Sequence, residues 1–204
     1  RVFEGEKQPV PGVCLKIENQ IPLARGLGSS AAAIVAGISC FEALTGRELS
    51  PDKFFQYAFE FENHPENLTA ARFGGFTVSA VAENGKVSFF RAPITPRLKI
   101  LLTVPEFHLE TQKARAAIPR TLDLRDAVFN LQRSSLTVAA LLKNEFHFLR
   151  ESLHDKLHQP FRAPLIPGFE EILRLNQEEI SGLAGICLSG AGPSVLAFAE
   201  GNPD

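Results

Sequence analysis

The sequence contains no methionine and no tryptophan, and a single tyrosine, in 204 residues. Phenylalanine, by contrast, occurs 17 times. A chain that opens on Arg1 without an initiator methionine is expected to be an internal piece of a longer protein, unless its methionines were modified or lost in preparation. The length is sufficient for one large domain or two small ones, each with a real core.

Cysteine is also scarce. Cys14, Cys40 and Cys187 are far apart, odd in number and set in apolar sequence. This pattern predicts free, buried thiols in a reducing compartment and argues against a disulfide or zinc framework. None of the three lies beside a histidine or in a glycine-rich turn, so a catalytic thiol is not expected.

Excess charge and long apolar runs are missing as well. The net charge of −2 gives no basic surface for nucleic acid or for an anionic membrane. The longest apolar stretch, 31–38, is far shorter than a bilayer span and is interrupted by Gly37. No secretory signal is visible at either end. We therefore expect a cytoplasmic protein with no nucleic-acid or membrane partner.

Hydrophobic periodicity and turn residues predict an α+β fold. Helices are predicted over residues 30–44, 51–62, 65–72, 111–118, 123–142, 144–157 and 169–179. Strands are predicted over residues 13–17, 76–81, 86–90, 98–104, 183–188 and 194–199. The strongly apolar run 98–104 is predicted to be a buried strand. The three prolines in 159–168 predict an extended loop. Pro93 and Pro96 bracket a linker, which predicts two domains, 1–95 and 96–204, each with a small sheet and its own helices.

The strongest local pattern is the glycine-rich run Gly26-Leu-Gly-Ser-Ser before an alanine-rich helix. Free N–H groups at a helix start bind phosphate, and glycines let the backbone approach it closely. A helix-entry turn whose glycines serve packing explains the same residues. A Walker A loop is excluded because no lysine follows. A dinucleotide-binding turn fits poorly, because residues 22–25 separate it from any strand and Glu48 lies between two helices.

The complete string over residues 21–32, Ile-Pro-Leu-Ala-Arg-Gly-Leu-Gly-Ser-Ser-Ala-Ala, resembles the ATP-binding signature of the GHMP kinases. The resemblance implies the GHMP kinase fold, with an N-terminal portion like domain 2 of ribosomal protein S5 and a ferredoxin-like C-terminal portion. It also implies that ATP is held by Pro22, Leu23, Ala24, Arg25, Gly26, Leu27, Gly28, Ser29, Ser30, Ala31 and Ala32.

Further segments resemble the homoserine kinase family within that superfamily. Glu62-Asn-His-Pro-Glu-Asn67 with Gly74-Gly75 is similar to the Glu-Gly-His-Pro-Asp-Asn…Gly-Gly segment of that family, departing from it at Asn63 and Glu66. Residues 185–194 are similar to the third GHMP motif. Residues 111–115 and 160–168 are similar to segments that supply two arginines for the substrate carboxylate.

These resemblances imply a mechanism. Ser30 and Glu62 would ligate Mg²⁺, and Ser30, Glu62 and Asn67 would form the catalytic group. L-Homoserine would be bound by His64, Asn67, Arg115, Arg162, Gly190 and Gly192. Because an asparagine stands where several GHMP relatives place an aspartate base, the substrate hydroxyl would attack the γ-phosphate without a side-chain base. The resemblance also allows a homodimer.

One family motif is missing. GHMP kinases carry a Pro-x-x-x-Asn-x-Gly-x-Gly-x-Asp motif upstream of the glycine-rich loop, and residues 1–20 do not match it. The chain is therefore expected to cover the middle part of a full-length kinase. A mevalonate-type GHMP kinase, a non-catalytic ligand-binding fragment of the same fold and an NAD-binding domain remain as alternatives. His154 and His158 have a spacing that could bind a metal, but a packing pair is the preferred interpretation.

Overall fold

The structure is a computed structural model, and it describes residues 1–107, 109–177 and 180–201. The chain divides into two compact units, which we describe separately. Unit 1 comprises Arg1–Ile21 and Gly28–Pro93, and unit 2 comprises Pro22–Leu27 and Ile94–Asp204. The glycine-rich run therefore contributes residues to both units.

Unit 1 contains four helices and a β-hairpin. The helices are α1 (Val2–Gly5), α2 (Ser29–Thr45), α3 (Pro51–Ala58) and α4 (Pro65–Phe73). Helix α3 begins as predicted, because the Ser50 side chain accepts a hydrogen bond from the Lys53 N–H and Pro51 occupies the first turn. Helix α2 ends at Gly46, whose left-handed backbone provides the C-cap.

The hairpin of unit 1 pairs β1 (Phe76–Val81) with β2 (Val87–Ala92) in antiparallel register, which confirms the predicted turn. In that turn the Asn84 side chain accepts a hydrogen bond from the Lys86 N–H. The core of unit 1 is rich in phenylalanine and includes Phe41, Phe54, Phe55 and Leu68, all buried.

The predicted strand over 13–17 is wrong. Residues 7–28 form no helix or strand, and Val13, Leu15 and Ile17 are all exposed. Their alternation has the period of a strand, but no described strand pairs with them, and an unpaired strand leaves its backbone groups without partners. Cys14, in the same segment, is free but exposed rather than buried.

Unit 2 is built on a three-stranded antiparallel sheet. Strands β3 (Leu98–Thr103), β4 (Leu183–Leu188) and β5 (Val195–Glu200) have the order β3-β5-β4. A tight loop, 189–194, connects β4 to β5. Strand β3 was predicted to be buried, but Ile100, Leu101 and Leu102 are exposed. An edge strand with one neighbour leaves part of its apolar run uncovered among the described residues.

The helices of unit 2 are α5 (Thr111–Ala116), α6 (Leu124–Lys143), α7 (Leu149–Ser152), α8 (Gln159–Arg162) and α9 (Phe169–Arg174). Short 3₁₀ turns follow or precede them at Phe146–Phe148, Ala163–Leu165 and Leu175–Gln177. The predicted helix over 144–157 is broken and ends at Ser152. The end of the predicted helix over 169–179 lies outside the described residues.

The prediction of an extended loop over 159–168 is wrong, because α8 and a 3₁₀ turn occupy its first half. Pro160 lies in the first turn of α8 and Pro164 in the 3₁₀ turn. A proline at these positions removes an N–H that has no helical partner, so it is compatible with the turn. Among the described helices, none is both long enough and apolar enough to cross a bilayer.

Candidate active site

The start of α2 in unit 1 offers backbone donors to an anion. Gly28 is the N-cap, and the first intrahelical hydrogen bond runs from the Ala32 N–H to the Gly28 carbonyl, at 3.0 Å. The N–H groups of Ser29, Ser30 and Ala31 therefore have no intrahelical acceptor, and no described side chain caps the helix. The positive end of the helix dipole adds to their attraction for phosphate.

Asn67 lies beside this helix start. Gly28 has φ = 71°, and a Cβ placed on it would lie 3.9 Å from Oδ1 of Asn67. Asn67 occupies the first turn of α4, where its side chain is exposed. Farther along the same two helices, Arg72 donates to both carboxylate oxygens of Glu42, at 2.7 Å each. This ion pair holds α4 along α2, and the exposed amide of Asn67 lies beside the turn that starts α2.

Glu62 and His64 form a second polar pair in unit 1. The Nδ1 atom of His64 is in close contact with Oε1 of Glu62, and the two side chains are 34% and 15% exposed, respectively. Pro65 then begins α4, which fixes this pair immediately before Asn67. The predicted Mg²⁺ ligands, Ser30 and Glu62, supply one hydroxyl and one carboxylate oxygen. That donor set fits Mg²⁺, which typically takes one or two carboxylates and completes its shell with nucleotide phosphates and water.

In unit 2 the two glycine-rich loops touch each other. Gly26 has φ = 73°, and a Cβ on it would lie 2.1 Å from the Ser189 carbonyl oxygen. The Ser189 hydroxyl donates to the Gly26 carbonyl at 2.8 Å. A Cβ on Gly190 would meet the Gly26 carbonyl at 3.2 Å. The glycines at 26 and 190 are therefore required for the close approach of two backbones.

Arg25 has a structural role that the sequence did not predict. Its guanidinium is buried and donates to the carbonyls of Pro105 at 2.9 Å and Glu106 at 2.6 Å. Its own carbonyl accepts a hydrogen bond from the Ser194 N–H. The side chain thus anchors residues 22–27 within unit 2. That Arg25 binds ATP remains a prediction. Because its side chain is already hydrogen-bonded within unit 2, its backbone is the part that would contact ATP.

Arg162 is directed to the second glycine-rich loop of unit 2. It is 8% exposed, and it donates to the carbonyls of Gly190 at 3.0 Å and Ala114 at 3.3 Å. Burial lowers the pKa of Arg162, and the nearby charge of Arg115 lowers it further. Arg115 is exposed, whereas the negative charge of Asp155 counteracts the effect of burial on Arg162.

The structure brings together the predicted site residues in two groups. Unit 1 holds Gly28, Ser29, Ser30, Ala31, Ala32, Glu62, His64 and Asn67, and unit 2 holds Pro22, Leu23, Ala24, Arg25, Gly26, Leu27, Arg115, Arg162, Gly190 and Gly192. The site assignments themselves remain predictions.

A polar network behind Arg162 was not predicted. Asp155 accepts hydrogen bonds from the Asn130 side chain and from the backbone before α8. The only signal in the sequence is an aspartate shortly before a proline-containing helix start. Within the described ranges, no group of three or more histidine, cysteine or acidic residues could hold a metal ion. Burial lowers the pKa of His158, which favours the neutral ring.

Comparison with known proteins identifies the fold. Residues 1–75 match the family model of the GHMP kinases N terminal domain. The crystal structure of homoserine kinase from Cytophaga hutchinsonii superposes with a TM-score of 0.79 and 28% identity, over 90% of this chain and 59% of that one. The chain therefore carries the GHMP kinase fold.

Curated sequences specify the relationship further. The chain is 44% identical to homoserine kinase of Aquifex aeolicus over 97% of its own length and 65% of the relative. It is 41% identical to homoserine kinase of Persephonella marina over 94% of its length and 63% of the relative. The chain is thus a homologue of the homoserine kinases, and it spans less than two thirds of the length of these relatives.

Proposed function

We propose that the protein transfers the γ-phosphoryl group of ATP to the side-chain hydroxyl of L-homoserine. The observation that carries this proposal is the position of Asn67 beside the start of α2 in unit 1. There an exposed amide, which can orient a hydroxyl or an amine, adjoins backbone N–H groups that suit a triphosphate. The sequence similarity to homoserine kinases supports the choice of acceptor.

In this reaction the protein mainly positions its substrates and neutralises charge. The N–H groups of Ser29, Ser30 and Ala31 would hold the phosphates, while Arg115 and Arg162 would bind the amino-acid carboxylate. Ser30 and Glu62 would hold Mg²⁺, which supplies charge neutralisation at the phosphates when it is bound. Asn67 would orient the attacking hydroxyl.

The bond changes follow from the chemistry of phosphoryl transfer. The homoserine oxygen forms a bond to the γ-phosphorus, and the bond between that phosphorus and the β,γ-bridging oxygen breaks, which releases ADP. Asn67 cannot accept a proton at neutral pH. The hydroxyl proton would therefore leave to the transferred phosphoryl group or to water. We also assign the reaction to the cytoplasm, where ATP is available, and the family resemblance allows a homodimer.

The two regions 1–95 and 96–204 are proposed as the N-terminal and C-terminal domains of such a kinase. Support comes from the family match over residues 1–75 and from the separate cores of the two units. Within unit 1, phenylalanine side chains dominate the core, whereas unit 2 packs aliphatic residues on its sheet.

The test is ADP release measured with a panel of alcohols at saturating ATP and Mg²⁺. Homoserine-dependent turnover is expected, with little turnover on mevalonate. Turnover on mevalonate alone would assign the protein to another branch of the superfamily. ATP binding without turnover on any alcohol would contradict the proposal and would favour a ligand-binding role.

A further inference from the structure

We infer that Asp155 is a positioning residue for Arg162. The inference rests on the proposed function, because it takes Arg162 as a ligand of the substrate carboxylate. Nothing in the sequence comparison assigns a role to Asp155. All the contacts that carry the inference lie within unit 2.

The first step is the way in which Asp155 holds the chain that precedes α8. Oδ1 accepts a hydrogen bond from the Leu157 N–H at 3.0 Å, and Oδ2 accepts from the His158 N–H at 2.8 Å. Oδ2 also accepts a short hydrogen bond from the Gln159 N–H. The carboxylate is 6% exposed. One buried side chain therefore fixes three consecutive backbone N–H groups at the start of the helix that carries Arg162.

The second step is the attachment of Asp155 itself to a long helix. The Asn130 side chain, on α6, donates to Oδ1 of Asp155 at 2.5 Å. Oδ1 of Asn130 accepts a hydrogen bond from the Lys156 N–H at 2.9 Å. Asn130 therefore ties both the Asp155 carboxylate and the adjoining backbone to α6.

The third step connects α8 with the glycine-rich loop. The Gln159 side chain donates to the Leu153 carbonyl at 3.0 Å and accepts from the Leu188 N–H at 2.8 Å. Leu188 is the last residue of β4, directly before the loop that contains Gly190. Arg162, one turn beyond Gln159, donates to the Gly190 carbonyl. Asp155 therefore controls a rigid path that ends at the guanidinium group.

Electrostatics favours the same arrangement. Burial lowers the pKa of Arg162, but the negative charge of Asp155 counteracts this effect and helps to keep the guanidinium charged. Asp155 makes no hydrogen bond to Arg162 within the described residues, so its influence on that side chain is exerted through the backbone and through its charge.

The test replaces Asp155 by asparagine in the protein and measures turnover with homoserine and ATP varied separately. Asp155→Asn removes the charge and converts one of the two carboxylate oxygens into an amide nitrogen. At least one backbone N–H bond is therefore lost. Because a misplaced binding group weakens orientation strongly, we expect the KM for homoserine to rise by roughly tenfold to a hundredfold. The KM for ATP is expected to stay within about threefold, since the N–H groups proposed to hold the phosphates, those of Ser29, Ser30 and Ala31, take no part in the path described above.

The matched control is Asp126→Asn, which removes the same charge from α6. Asp126 pairs with the side-chain ammonium of Lys156 near the surface, whereas the path described above uses only the backbone N–H of Lys156. We expect Asp126→Asn to leave both KM values unchanged. A double-mutant cycle then separates positioning from general stability. In an Arg162→Ala background, Asp155→Asn should not raise the KM for homoserine further.

Two outcomes would overturn the inference: an equal rise in KM in both backgrounds, or a fall in kcat with unchanged KM. A wild-type protein without homoserine turnover would instead refute the proposed function. In that case amide hydrogen exchange tests whether Asp155 holds the start of α8 in place. Faster exchange at residues 157–162 in Asp155→Asn, but not in Asp126→Asn, supports its positioning role, and unchanged exchange refutes it.

Discussion

At the scale of single residues, Gly26 and Gly28 both have positive φ, but they differ in the space available for a side chain. Gly26 lies against the Ser189 carbonyl. Among the described residues that do not adjoin Gly28, a Cβ on Gly28 would have only the Asn67 side chain within 4 Å, at 3.9 Å. Both residues have left-handed backbones, with φ near 70°. The backbone strain of a substitution is therefore shared, and the steric conflict belongs to Gly26 alone.

We therefore expect Gly26→Ala to destabilise the protein by about 3 kcal/mol or more, and Gly28→Ala by only about 1 kcal/mol. The difference measures the clash with the Ser189 carbonyl, since the two variants have the same left-handed strain. Urea unfolding followed by circular dichroism provides the measurement. Equal losses of stability would mean that the two loops do not approach as closely as described.

A substitution at Asn67 tests whether the proposed reaction proceeds without a side-chain base. Asn67→Asp introduces a carboxylate near the start of α2, where phosphates are proposed to bind, so electrostatic repulsion should lower kcat rather than raise it. Steady-state ADP release measures the effect. Asn84→Asp, the same chemical change in the hairpin turn, should leave kcat unaltered. A faster enzyme with aspartate at position 67 would show that the reaction benefits from a base.

Asp155 also makes stability depend on pH. Burial raises the pKa of Asp155, but hydrogen bonds from the Gln159 N–H and the Asn130 side chain outweigh this effect and lower the pKa overall. A folded pKa below the unfolded value gives a stabilising contribution that is present above the unfolded pKa of about 3.9 and is lost as pH falls through the folded pKa.

The free energy of unfolding of the wild type should accordingly exceed that of Asp155→Asn by about 2 kcal/mol near neutral pH. The difference should shrink once the pH falls below about 4. Urea titrations at a series of pH values measure it. A difference that stays constant down to the acid limit would show that the ionised carboxylate does not provide this stabilisation.

At the scale of elements, an ion pair links α2 with α4 in addition to their shared apolar core. Arg72 and Glu42 have side chains that are 15% and 13% exposed. Oε1 of Glu42 also accepts a hydrogen bond from the Leu49 N–H. The pair therefore links two helices and the segment that leads to α3.

Arg72→Ala leaves the carboxylate of Glu42 without its cation, and we expect a loss of about 2–3 kcal/mol in the free energy of unfolding. Lys16→Ala provides the control, because Lys16 and Glu18 form an exposed ion pair that should contribute less than about 0.5 kcal/mol. Thermal unfolding of both variants decides the point. Similar midpoints would mean that the helices are held by apolar packing alone.

The elements that could be predicted from the sequence are those with local signals. Ser50 and Pro51 marked the start of α3, and Asn84-Gly85 marked the hairpin. Position 162 was assigned to a loop because of its neighbouring prolines, although Pro160 is compatible with the first turn of a helix. The local pattern also gave a wrong strand over 13–17 and wrong burial for β3, because strand pairing and burial depend on residues that are distant in the sequence.

The same distinction applies to the candidate site. The glycine-rich run and the Glu62–Asn67 segment were found because each is continuous in sequence. The anchoring of Arg25 by carbonyls 80 and 81 residues away left no local trace. Nor could the path from Asn130 to Gly190 be predicted, since its hydrogen bonds join helices and a strand that are separated in the chain.

At the scale of the whole molecule, a net charge of −2 is compatible with the proposed binding of anionic substrates. Binding a small anion requires positive charge or N–H donors at the site itself, and not a positive net charge on the protein. In unit 1 the helix start supplies uncharged N–H donors, and in unit 2 two neighbouring arginines, Arg115 and Arg162, supply the positive charge. The proposed binding of small anions would therefore not require a strongly basic surface.

The sole tyrosine, Tyr57, lies in the core of unit 1, where its hydroxyl donates to the Glu6 carboxylate at 2.9 Å. Burial, together with this carboxylate, raises the pKa of Tyr57. The chain has no tryptophan, so emission excited at wavelengths longer than the phenylalanine absorption band comes from this one ring. A carboxylate acceptor quenches phenol fluorescence. We expect emission to increase when unit 1 unfolds, and Glu6→Gln to brighten the native protein. Unit 2 contains neither tyrosine nor tryptophan, so tyrosine emission follows unit 1 alone, whereas circular dichroism follows both units.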